Sequence, residues 1–271
     1  MLIIKTESKV SRLLSNVRDV GLRTHNKDLL MRNLLKRLGI VSLYAIGMAW
    51  VESAVVTYLR VMIGRVDPYQ ADPLPISAGL GWIEMGREAA TLLMLWTVGW
   101  LAGQTWRSRA GYALVAFGVW DISYYVFLVP MTGWPLSLLD WDVLFLIPLP
   151  WWGPVLAPAL ISLLLILGGA LAAARDHFQK TAWPRWWTWL LNLTGVGLAL
   201  YTFMAEAIRA LPGGETAVRQ ALPVAFDWTL FGLALALLAA PVADLGIQML
   251  PRKALRQEGS RVSVTHLDRH G

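Results

Sequence analysis

Six stretches of this chain, at about residues 38–63, 84–105, 110–132, 152–174, 187–210 and 222–248, are each about 20 residues or longer and apolar on nearly every helical face. Crossing a bilayer as a helix takes about 20 such residues. A soluble bundle would have to bury each run inside a complete protein coat, which 271 residues cannot build around six helices. The composition agrees: 56% of residues are hydrophobic and 15% charged, where soluble domains carry roughly 25% charged residues. The sequence therefore predicts an all-α, polytopic integral membrane protein with six transmembrane helices.

Orientation follows from the basic residues. Lys27, Arg32, Lys36 and Arg37 precede the first run. Arg107 and Arg109 follow the second, Arg175, Lys180 and Arg185 follow the fourth, and Arg252, Lys253 and Arg256 follow the last. Cytoplasmic loops are enriched in Lys and Arg, so both termini are expected inside the cell. The connections with Asp67 and Asp72, and with Asp140 and Asp142, are then external. Three segments result: a cytoplasmic amphipathic N-terminal segment at 1–36, the membrane domain at 37–250, and a cytoplasmic tail at 251–271. The start shows no apolar core followed by a small-residue cleavage site, so the first span is expected to direct insertion itself. A bacterial inner membrane is the simplest host. Tryptophans crowd the third connection (Trp134, Trp141, Trp151, Trp152) and the fourth (Trp183, Trp186, Trp187, Trp189), where headgroup anchoring is expected.

Absences exclude several chemistries. Without cysteine there is no disulfide, thiolate metal site or iron–sulfur cluster. His25, His177, His266 and His270 all fall outside the apolar runs, which argues against an intramembrane haem or a histidine metal centre. No run contains lysine, so a retinal Schiff base is excluded, and no phosphate-cradling glycine loop is present. The net charge of +6 sits in the connections, which fits membrane orientation and argues against nucleic acid as a partner.

The segment FGVWDISYYVFL, 117–128, places Asp121 in the middle of an apolar run, beside Tyr124 and Tyr125. Given the expected orientation, Glu52 lies near the midplane, and Arg60, Glu84, Arg87, Glu88, Glu206, Arg209 and Asp227 lie toward the exterior. A charge at the helix centre costs about 2.5–3.5 kcal/mol even on permissive scales, so the deeper acids are expected to share one external-side polar cavity. There Glu52, Glu88 and Asp121 are the candidate catalytic acids and candidate ligands for Mg or Ca, which take oxygen donors. Arg60, Arg87, Arg209, Tyr124, Glu206 and Asp227 are candidate substrate-binding residues, the arginines suited to a phosphate or carboxylate. Gly168 and Gly169 suit close helix contact.

Between the third and fourth runs, residues 131–158 carry prolines at 135, 148, 150, 154 and 158. They exclude a continuous helix and predict an external interfacial or re-entrant segment over 143–150. Asp140 and Asp142 point to opposite sides if this stretch is extended. Three function classes fit: a membrane-embedded enzyme acting on a lipid or other amphipathic substrate at the external leaflet, a proton- or cation-coupled transporter, and a structural or assembly subunit. Membrane lipids are the expected partners, and the pattern leaves room for a homo-oligomer or a membrane-complex partner.

Overall fold

The computed structural model describes residues 2–70, 78–146, 149–178 and 183–249, with side chains from residue 26 onward except 78–80. The tail at 251–271, Asp72, Pro148 and Lys180 lie outside these residues. Eight α-helices occur among the described residues: α1 (Leu2–Met62), α2 (Ala78–Ala102), α3 (Trp106–Thr132), α4 (Leu156–His177), α5 (Trp186–Ala210), the short α6 (Gly214–Gln220), α7 (Trp228–Leu238) and α8 (Ala240–Met249). Strands β1 (Trp141–Val143) and β2 (Trp152–Pro154) form an antiparallel hairpin between α3 and α4. The fold is thus all-α apart from this two-stranded ribbon.

Among the described residues, five helical stretches are long and apolar enough to cross a membrane: Asn26–Met62, Trp106–Thr132, Leu156–His177, Trp186–Gln220 and Trp228–Met249. The remaining expected span is α2. Its 25 residues extend about 37 Å at 1.5 Å per residue, but Glu84, Arg87 and Glu88 lie in its first three turns and dilute its apolar character. α1 runs without a break through residue 36, joining the N-terminal segment to the first span in one helix. The last span is split between α7 and α8. Pro241 has no N–H to continue the ladder, and the Asn192 Nδ2 donates to Leu238 O at 3.0 Å beside the break.

α3 is the central helix, packed against α1, α2 and α4, while α5 packs on α7. Small residues set these distances, as close helix approach within a membrane requires. A Cβ on Gly111 would lie 2.7 Å from Gly169 O, and one on Gly118 2.5 Å from Ser162 O. Gly168 faces Val242 on α8. α3 begins with a reciprocal cap in which Thr105 and Ser108 satisfy each other's backbone N–H, and ends at Gly133, whose φ of 74° is the left-handed conformation glycine adopts freely.

The segment expected to be interfacial or re-entrant takes the form of the hairpin. Trp141 pairs with Pro154, Asp142 with Gly153 and Val143 with Trp152. Beyond the paired strands, Leu144 N donates to Trp151 O and Trp151 N to Phe145 O, each at 2.8 Å. Pro154 is accommodated because every strand of a two-stranded ribbon is an edge, where a missing donor is tolerated. The third-connection tryptophans turn inward rather than toward headgroups: Trp134 and Trp152 are buried, and Trp151 stacks on Phe203. The strongly exposed rings are Trp82, Trp106 and Trp186.

Candidate functional site

Beneath the hairpin, α1, α2, α3 and α4 enclose a cavity of about 230 Å³. Of the residues predicted for a shared site, Glu52, Arg60, Arg87, Glu88, Asp121 and Tyr124 all line it. Glu52, Arg60, Glu88 and Asp121 are buried. Glu206, Arg209 and Asp227 line a separate, smaller hollow between α5 and the start of α7. There Arg209 pairs with Glu206 one turn away, and Asp227 caps α7 by accepting from Leu230 N at 2.9 Å. Phe203 borders both spaces.

Two ion-pair groups organise the larger cavity. Arg87 on α2 is bound on one side by Glu52 of α1 and on the other by Glu84, three residues before it on its own helix. The second oxygen of Glu52 accepts from Thr91 Oγ1 at 3.1 Å, so Glu52 ties α1 to α2 through two partners. Ser53, next to it, donates to Tyr124 O at 3.0 Å and ties α1 to α3. The second group is Arg60, at the outer end of α1, whose Nη2 lies 3.1 Å from Asp142 Oδ1. The Arg60 guanidinium also sits over the Trp134 ring at 4.1 Å and donates to Val66 O at 3.0 Å. Arg60 thereby fastens the hairpin to the helices.

Asp142 is the site residue that helical reasoning did not single out. The signal for it was the alternation of an extended strand: Asp142 faces inward at 2% exposure, while Asp140 turns the other way and accepts from Leu136 N and Ser137 N. Burial pushes the Asp142 carboxyl above its ordinary value, against the opposing pull of the Arg60 guanidinium and the Val143 N–H. Glu84 and Tyr125 also line the cavity.

Two of the acids form no ion pair among the described residues. Asp121 accepts from Ser162 Oγ at 2.8 Å, and among the described residues no arginine or lysine pairs with it. Glu88 has a long contact from Leu146 N at 3.4 Å and no ion pair among the described residues. The expected Mg or Ca site is not supported. No group of three His, Cys, Asp or Glu among the described residues is arranged to hold a metal ion. The acids are spread around the cavity on four different elements, and Glu52 and Asp142 are each committed to an arginine. Hard divalent cations need six or more oxygens converging at 2.0–2.6 Å, and here the carboxylates diverge.

At the other end of the bundle, Arg175 is buried and reaches Leu245 O and Gln248 Oε1, while Asp244 accepts from Arg185 N at 2.8 Å. These bonds join α4, α8 and the start of α5, a packing role.

The chain is a helical protein of membrane type with arginine–carboxylate pairs buried in a polar cavity. Compared with known proteins, it matches no family model, no curated protein and no solved structure.

Proposed function

We propose that the protein is a membrane-embedded enzyme acting on an amphipathic substrate, with the substrate's polar end in the cavity and Asp121 and Glu88 moving a proton. The observation that carries this reading is Asp121, buried at the cavity wall with one hydroxyl partner and, among the described residues, no ion pair. A carboxyl so placed is in the environment of a general acid or base. The neighbouring Arg87–Glu52–Glu84 cluster fixes the walls, as preorganised ion pairs do in catalytic sites. In this reading α2 counts as a span and α7–α8 as one broken span, making six. In this reading the end rich in basic residues is assigned to the cytoplasm, and substrate arrives from the external leaflet.

A coupled transporter would need polar access continuing past Asp121. Instead, toward the start of α3, Ala49, Leu95, Ala116 and Tyr112, all at 2% exposure or less, pack in one apolar cluster. A purely structural subunit would gain by pairing each buried charge, since an unpaired one is costly in lipid, yet among the described residues Asp121 forms no ion pair and Glu88 meets the Arg87 charge only beyond salt-bridge distance.

Comparing membrane lipids from cells producing the wild type and Asp121→Asn tests this. An amphiphile consumed or formed with the wild type is expected to change about a hundredfold less with Asp121→Asn, while Asp140→Asn behaves as wild type. Identical lipid profiles for wild type and a stably folded Asp121→Asn overturn the reading.

A further inference from the structure

We infer that the polar end of the substrate is an organic cation, a protonated or quaternary amine carried on a hydrocarbon body. The inference rests on the reading of the cavity as a substrate site and adds the class of molecule that fits it. Five carboxylates line the cavity: Glu52, Glu84, Glu88, Asp121 and Asp142. Three guanidiniums, those of Arg60, Arg65 and Arg87, line it with them. Acids formally outnumber bases, and two of the three bases are held by acids of the same lining: Arg87 by Glu52 and Glu84, and Arg60 by Asp142. Those two guanidiniums are committed in place, so the formal balance of the lining favours a cation over a phosphate or carboxylate headgroup.

The surplus resides on Asp121 and Glu88, each 8% exposed and facing the same cavity. Asp121 is nine-tenths buried, with a single donor on one oxygen and no ion pair among the described residues. The same cavity has aromatic lining: Phe117, Trp120, Tyr124 and Phe145. Aromatic faces beside carboxylates are the recognised environment for ammonium groups, which are attracted by the ring quadrupole and by the acid together. A large diffuse cation also suits the spread of the acids. An ammonium is held by surrounding charge and ring faces without a tight shell of converging oxygens, so the feature that argues against a metal ion favours an amine. A neutral headgroup would leave both acids uncompensated.

Native mass spectrometry of the full chain in dodecyl maltoside micelles, a detergent without an amine, tests this with three probes sharing one hydrocarbon chain: hexadecylamine, hexadecanol and palmitate at equal concentration, at neutral pH. The amine is expected to be bound about tenfold more than either other probe. Asp121→Asn with Glu88→Gln is expected to reduce that preference to near parity, and Asp121→Glu, which keeps the charge, to retain it. Equal or greater binding of palmitate or hexadecanol overturns the inference. So does binding of none of the three, or an amine preference that survives in the double variant, which would mark partitioning into the micelle. If the amine preference holds but lipid profiles do not respond to Asp121→Asn, the cation site stands and the catalytic reading falls; the converse result separates them the other way.

Discussion

Arg87→Met is expected to destabilise the folded protein by about 3–5 kcal/mol, the cost of removing one partner from a buried ion pair. The guanidinium answers two carboxylates, Glu52 on α1 and Glu84 on α2. Without it both acids are left at the cavity wall with only Thr91 Oγ1 as a donor to Glu52. The expected response is protonation of one acid and loosening of α1 from α2, which share few other polar contacts. Equilibrium unfolding in detergent micelles checks this. A loss below about 1 kcal/mol, the range of exposed pairs, would mean that the cluster is solvated and does not hold the helices.

Asp142→Ala is expected to cost a similar amount by stranding Arg60, whose side chain is only 9% exposed. Its consequence is more local. The hairpin loses the ionic contact that fixes it to α1, so proteolysis between residues 136 and 150 should increase several-fold while the helices persist. Replacing both partners, Arg60→Met with Asp142→Leu, is expected to recover much of the stability, because an apolar pair carries no desolvation penalty. If the double variant is as unstable as the sum of the two single ones, the pair is not acting as a unit.

The helical framework was legible because each apolar run carries its own signal, independent of its neighbours. Each expected span falls largely on helix, the first within the longer α1 and the last on the pair α7 and α8, and five stretches pass on length and composition alone among the described residues. The shared cavity was legible in part for an energetic reason: buried charge is costly enough that Glu52, Glu88 and Asp121 had to find common shelter. What periodicity does not encode is which helices adjoin. Glu206, Arg209 and Asp227 lie on α5 and at the start of α7, which border a different hollow. Arg60 finds its partner 82 residues away in the hairpin, a contact made by tertiary folding and invisible to helical spacing. The hairpin itself was hidden because its prolines and tryptophans read equally as an interfacial turn, and the inward-facing indoles of Trp134 and Trp152 follow from that ribbon folding over the bundle. The metal reading failed for a related reason: acids that share a cavity need not converge on a point.

The central claim is that acids from separate helices line one water-accessible cavity at the hairpin end. The chain has no cysteine, so single cysteines can be introduced without altering the background. Glu88→Cys and Asp121→Cys, in sealed vesicles of known orientation, can be exposed to a small charged thiol reagent that does not cross the bilayer. Both are predicted to react from the hairpin side, while Ala116→Cys, in the dry core below, stays unlabelled. Labelling of Asp121→Cys from the opposite side, or of neither cavity position from the hairpin side, would contradict the account.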